Sequence, residues 1–406
     1  MKTLFYLISF MTLFLGVNIL YTLGFKDPFD TSISLSSGVP LSTWLLLMVG
    51  SIYLFTKKKL IKNYEISFLI FCFIYTFFNT IILQRSANLV IIINSFIAPI
   101  FISLLAKNIP NAKKIIYKII LLYFITECGV AILERIFSEN FLIAASETTF
   151  MDTNMSHDEG FRSASIHGHP LQGALMISVI MGFIYIANIN IKNKIALLIL
   201  GCMALLSFNT RSSICFWGGM LTLLLLQIIS SRKYTITSKI SSFFLLSIAA
   251  IGVWNLLQSG WGGRLLELSL FDEDSAQARI DVFQMFNFIS FNQILWGISE
   301  KDIISIMSKS GIGIIENYWI SYILSFGLIC TLIFVIFVFL CLKPLFKNIS
   351  TIKIIISVGS FLIISSTNNS MLSGVPALML LVLCVYAFPI KRINYETSNQ
   401  YNSTNI

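Results

Sequence analysis

The stretch Asn317–Leu342, NYWISYILSFGLICTLIFVIFVFLCL, decides the fold. It runs for 26 residues without a charge, between Glu316 and Lys343. As a helix it would rise about 1.5 Å per residue, enough to cross a hydrocarbon core of roughly 30 Å. In lipid each backbone N–H and C=O needs a partner within the protein, and a helix supplies it from its own segment. The stretch therefore reads as a membrane span.

Comparable apolar runs recur along the chain. The spans read from them are 4–25, 41–56, 66–83, 88–106, 116–134, 170–189, 195–209, 213–230, 240–257, 317–342, 354–368 and 372–388. The first follows Lys2 and has the apolar middle of a signal peptide. It is long for one, and no small-residue cleavage site closes it, so the reading as a retained helix is preferred. The composition agrees: 56% of the 406 residues are hydrophobic, 12% are charged and the mean hydropathy is +0.84. A soluble domain carries about twice that charged fraction. The expected fold class is thus an all-α integral membrane protein of about twelve transmembrane helices. It forms one polytopic domain, 1–393, with a polar tail, 394–406, expected to be disordered.

The net charge of +9 could suggest nucleic acid, but its distribution is topological. With both termini in the cytoplasm, alternate short loops hold Lys57–Lys59 and Lys62; Lys107, Lys113, Lys114 and Lys118; Lys192 and Lys194; Arg232, Lys233 and Lys239; Lys343, Lys347 and Lys353; Lys391 and Arg392. With Lys2 that is 19 of the 28 basic residues on one side, as the positive-inside rule requires. Nine remain outside: Lys26, Arg85, Arg135, Arg162, Arg211, Arg264, Arg279, Lys301 and Lys309. Six of the eight arginines are among them, against three of the twenty lysines. Arginine outside runs against the insertion bias, and its planar fork of donors suits phosphate and carboxylate. Any single outer Arg has an equally plain alternative, pairing with acids in the same loops. The set as a whole favours anion recognition.

Two outer loops are long, 135–169 and 258–316, and loops of that length usually carry function. The first holds all three histidines and closes with Phe161-Arg-Ser-Ala-Ser-Ile-His-Gly-His-Pro-Leu-Gln-Gly173. Pro170 after His169 suits a helix start, whose amides favour anions. Arg162, His167 and His169 are therefore candidates for a phosphate or sugar cradle, with His169 as acid or base, or else simply as a helix cap. His-x-His without a third ligand makes a poor metal site, and none is expected. The seven cysteines form no CxxC pair and read as small apolar filler. Asn209-Thr-Arg-Ser-Ser213 stands where two spans meet, and Arg211 there must pair, face a wet cavity, or snorkel. The second loop holds Trp261, Arg264, the cluster Asp272-Glu273-Asp274 and an amphipathic stretch, Ala276–Phe291, with Ile280, Phe283, Phe286 and Phe291 near helical spacing beside Arg279. Glu316 precedes a helix start, where the dipole alone already favours a carboxylate. Glu127 and Glu134 share one face of the fifth span, to pair with an Arg or to line a cavity.

Four of these pieces, in order, resemble the O-antigen polymerase and O-antigen ligase superfamily of membrane glycosyltransferases. They are Arg162 with His-Gly-His-Pro before a helix, in which Arg162 and Gly173 fit an Arg-x10-Gly pattern; Asn-Thr-Arg211-Ser-Ser; Ala-Arg279-Ile-Asp-Val-Phe followed by Ile294-Leu-Trp-Gly297; and Glu316-Asn317-Tyr-Trp leading to Gly327-Leu-Ile. The resemblance runs from about Arg162 to Ile329. It implies a GT-C-like fold in the bacterial cytoplasmic membrane, acting without metal, cofactor or nucleotide sugar. The substrate would be a polyprenyl-diphosphate-linked oligosaccharide, with membrane lipid around it and with a flippase and a chain-length regulator as partners. Arg211 and Arg279 would stabilise the departing diphosphate, with Arg162 and Arg264 beside them. Glu316 would be the base, His169 the second choice. His167, Asn317 and Trp261 would contact glycan. Ligases usually carry His where Glu316 stands, which favours a polymerase. An O-antigen ligase or a lipid-linked oligosaccharide flippase or transporter are the rival expectations. A transporter would more often show internal repeats and midplane charge.

Overall fold

The computed structural model describes residues 2–16, 19, 39–56, 62–82, 87–142, 161–232, 234–258, 261, 281–312, 315, 317–347, 349–366 and 376–390. Among these there is no strand. The α-helices are α1 (Lys2–Phe14), α2 (Leu41–Thr56), α3 (Asn63–Phe77), α4 (Ala87–Ile91), α5 (Ala98–Asn108), α6 (Lys113–Phe137), α7 (Pro170–Ile186), α8 (Ile191–Ser207), α9 (Arg211–Ser230) and α10 (Ile236–Gln258). Then come α11 (Phe291–Trp296), α12 (Glu300–Ser310), α13 (Tyr318–Phe326), α14 (Leu328–Leu342), α15 (Thr351–Ser366) and α16 (Ala377–Ala387).

Helix α7 lies at the centre. Its sequence is apolar on every side, so it has no face to give to solvent, and such a helix belongs in the middle of a bundle. All of it but Leu171 and Gln172 is buried, as is the whole of α16. Around them the outer helices turn Phe, Ile and Leu outward; Phe73 is 72% exposed, Phe244 61% and Ile236 76%. Water-soluble monomers do not carry so broad an apolar surface, whereas hydrocarbon solvates it. Among the described residues, six helical segments are long and apolar enough to cross a membrane: Asn63–Ile81, Leu89–Asn108, Pro110–Phe137, Arg211–Ser230, Ile236–Leu256 and Leu328–Phe346. Helices α1, α7, α15 and α16, with Leu41–Tyr53 of α2, are apolar but shorter.

Two sequence expectations change. The run 317–342 is two helices, because the chain breaks at Gly327, whose φ is +81°. Gly297, at φ +79°, lies against the break, and Ile298 N donates to Leu324 O at 2.7 Å. An added Cβ on Gly327 would meet Leu295 O at 2.3 Å, and one on Gly297 would meet Gly327 N at 2.8 Å. The short helix α11 thus plugs the break. Gly327→Ala combines a left-handed conformation with a backbone clash, and is expected to lower stability by about 3 kcal/mol or more. Gly311→Ala, also at positive φ but with open space around it, should lose only about 1 kcal/mol. Melting of the two variants in detergent checks the contrast, and equal losses would sink it.

The second change is in the amphipathic stretch. Its described part is a 3-10 helix, Val282–Phe288, which buries Val282 and Met285. Phe283 and Phe291 are exposed. A three-residue repeat stacks positions 282 and 285 on one face, so the buried stripe differs from the one that helical spacing picked out.

Long-range contacts gather the chain into two ends. At one, the carboxylate of Glu65 holds Lys107 Nζ at 2.5 Å, Lys107 also reaches Cys341 O at 3.1 Å, Asn188 N donates to Pro389 O at 2.8 Å, and the Tyr386 hydroxyl donates to Ile109 O. At the other, Gly16 abuts Ile166, Arg135 reaches Phe161, and Ser163 pairs with Ser207. The two groups lie at opposite ends of α6 and α7.

Candidate functional site

The second of these ends is built around a loop folded inward. Residues Phe161 to His167 are buried, apart from Arg162, which is half-buried. A buried loop must find partners for its backbone polar groups. Helix α6 supplies them. Glu134 Oε2 accepts from Ala164 N at 3.0 Å, from Ser165 N at 2.9 Å and from the Ser163 hydroxyl. Its Oε1 accepts from Phe141 N at 3.2 Å. Next to it, Arg135 Nη1 donates to Phe161 O at 2.9 Å, and its guanidinium stands 5.9 Å from the ring centres of both Phe161 and Trp261. Asn140 Oδ1 adds a bond to Ala164 N. The bend this requires passes through Ser165 at φ +48° and Gly168 at φ +78°.

Two turns before Glu134 on α6 is Glu127, fully buried. The Ser165 side chain and the Ile166 backbone amide lie against its carboxylate. Oε1 lies 3.0 Å from where a Cβ on Gly173 would sit, in the first turns of α7, with the Phe208 ring beside it. Asn209, at φ +51°, and Thr210 are also buried, and their side-chain polar atoms find no hydrogen-bond partner among the described residues. Buried polar groups without partners are uncommon, and each asks for a water, a ligand or a proton. Here they follow directly on Phe208, where α8 gives way to α9.

The loop brings several predicted residues to that junction. Arg162 Nε donates to Phe208 O at 3.3 Å, three residues before Arg211. Arg211 is the first residue of α9. A cation there opposes the helix dipole, so the helix itself gives no reason for it. His169 caps α7, with Nδ1 accepting from Leu171 N at 3.2 Å. A neutral imidazole that accepts at Nδ1 carries its proton at Nε2, which makes it a donor rather than a base. Trp261 joins through Arg135.

Asn317 is elsewhere. Its Oδ1 caps α13 at Trp319 N (3.0 Å) and Ile320 N (3.4 Å), and Trp319 Nε1 donates to Ser366 on α15. No described contact joins it to the loop. Glu316, Arg264 and Arg279 lie outside the described residues. The two residues that hold the loop, Glu134 and Arg135, were legible only as an acid in a span and as one of the outer arginines. Among the described residues, no three His, Cys, Asp or Glu side chains are grouped to hold a metal.

His167 is buried against α6, 2.8 Å from the Tyr123 hydroxyl through Nε2. Desolvation pushes its imidazole down from 6.5 to about 4. The folded chain thus binds this proton more weakly than the unfolded chain. Stability is full above about pH 6.5 and falls, by about 1.4 kcal/mol per unit, as pH drops toward 4. His167→Gln should flatten the acid side of the melting profile between pH 7 and 5 by that amount. Parallel profiles for the two proteins would refute the assignment.

Protein-family models and curated proteins give no match to this chain.

Proposed function

We propose that this chain is a membrane glycosyltransferase that polymerises a bacterial surface polysaccharide, with twelve spans, both termini in the cytoplasm and the arginine-bearing end outside. One observation carries the reading. A cleft of about 350 Å³ runs between α8, α9 and α10, walled by Leu206, Ile214, Leu221 and Leu246. Ile214 stands one helical turn from Arg211. An apolar channel ending beside guanidinium groups suits a long isoprenoid with a diphosphate head. A soluble sugar phosphate would need the cations but not the channel.

In this reading the acceptor hydroxyl attacks the anomeric carbon that links the growing glycan to its carrier. A new C–O bond forms, the bond to the diphosphate breaks, and the polyprenyl diphosphate leaves with the electron pair. The hydroxyl proton passes to a base, for which Glu316 is the candidate. Arg211, Arg162, Arg264 and Arg279 are the candidates for balancing charge on the departing diphosphate. His169 would donate through Nε2, while His167, against Tyr123, and Trp261, beside Arg135, would shape the loop.

The test is the glycan profile of a deletion strain. A single repeat left on the lipid carrier supports the polymerase. Full-length polymer that stays on its carrier would favour a ligase, and repeats trapped on the cytoplasmic face would favour a flippase.

A further inference from the structure

A second and larger cleft, of about 700 Å³, opens at the opposite end, between the start of α3, the end of α14 with the turn Lys343–Phe346, and α15. Phe339, Ile354 and Val358 wall it, and Lys62, Lys343 and Lys347 surround its mouth. All three lysines are exposed. The acid nearest in sequence does not neutralise them: Glu65 Oε1 is held by Lys107 at 2.5 Å, and its Oε2 accepts the Lys62 backbone N–H at 3.1 Å. The Lys62 ammonium stands 5.6 Å over the Tyr64 ring.

Three cations above an apolar cleft call for an amphiphile with an anionic head. We infer that this cleft binds an anionic glycerophospholipid, with its phosphate among Lys62, Lys343 and Lys347 and an acyl chain along Phe339 and Val358. Basic pockets between membrane helices hold acidic headgroups in this way, and lysines near an anionic bilayer surface each add to the attraction. The apolar walls set the site apart from one for free phosphate, whose binding would need only the rim. A zwitterionic lipid would fill the walls but leave the rim without a counter-charge. The site does not depend on what the arginine end does.

Native mass spectrometry of the full-length protein in mild detergent tests it, with equimolar phosphatidylglycerol and phosphatidylcholine added. The wild type should retain phosphatidylglycerol over phosphatidylcholine by about tenfold or more. The variant Lys62→Gln/Lys343→Gln/Lys347→Gln should bring the ratio close to one. Val358→Trp, with the lysines intact, should lower retention of both lipids. Millimolar inorganic phosphate should displace neither. A wild-type ratio near one, an unchanged ratio in the triple variant, or displacement by inorganic phosphate would overturn the inference. Should the triple variant elute as aggregate, the single Lys→Gln variants give the same reading, each expected to lower the ratio about twofold.

Discussion

Glu134→Ala should release the loop Phe161–His169 from the bundle and end polymer formation with it. One carboxylate serves four donors there: the Ala164 and Ser165 amides, the Ser163 hydroxyl and the Phe141 amide. Alanine leaves the Ser163 hydroxyl and the Ser165 amide without this acceptor in a buried place, while the Ala164 amide keeps Asn140 and Phe141 is exposed. Each orphaned donor costs about 1–3 kcal/mol, so for these two the expected loss is about 2–6 kcal/mol. That is a large part of the 5–15 kcal/mol that usually separates folded from unfolded chains. Glu134→Gln keeps one acceptor oxygen but turns an NH2 group toward donors, and should fall between. The readouts are the melting temperature in detergent and tryptic cleavage at Arg162, which the folded loop shelters. A Glu134→Ala protein that melts like the wild type and resists cleavage at Arg162 would show that the carboxylate does not hold the loop.

Arg211→Ala should reduce polymer on a gel by about 10²- to 10³-fold, the usual effect of losing one donor that stabilises a developing anion. The protein itself should stay in the membrane fraction at its normal level. Removing a cation from the first turn of α9 relieves an unfavourable interaction with the helix dipole. Arg211→Lys keeps the charge but not the two-pronged geometry, and should restore only part of the activity. Long ladders from Arg211→Ala would remove this residue from the chemistry, and with it the link between the apolar cleft and the proposed carrier. Alanine at Arg279 or Glu316 is expected to give the same loss of ladder.

The apolar helices were legible because a span is a local property. About twenty apolar residues in a row must become a helix in lipid, whatever packs against them. That held for 116–134, found within α6, and for 240–257, found within α10. The contacts of Lys107 with Glu65 and Cys341 bring the ends of α3, α5 and α14 together, which no single stretch of sequence states. The break at Gly327 was not legible as a break. A glycine in an apolar run is tolerated in many helices, and what meets this one at the break is the backbone of Leu295 and Trp296 at the end of α11.

The candidate site divides along the same line. Arg162, Arg211, His167 and His169 stood out because polar groups at the edge of apolar runs are conspicuous. Their company did not. Glu134 looked like any acid near a helix end, and its role depends on where a distant loop runs back into the bundle. Glu127 reads in sequence as pairing with an arginine or lining a cavity, and its neighbours in the fold are Gly173, Phe208 and Ser165. Sequence by itself determined which segments are apolar helices and which residues are too polar to lie idle among them, since both follow from the free energy of transfer between water and hydrocarbon. Only the tertiary structure decided which of those polar residues meet, because that depends on how each helix is rotated about its axis and on the path of the chain between helices. Neither of these is written in any one stretch of residues.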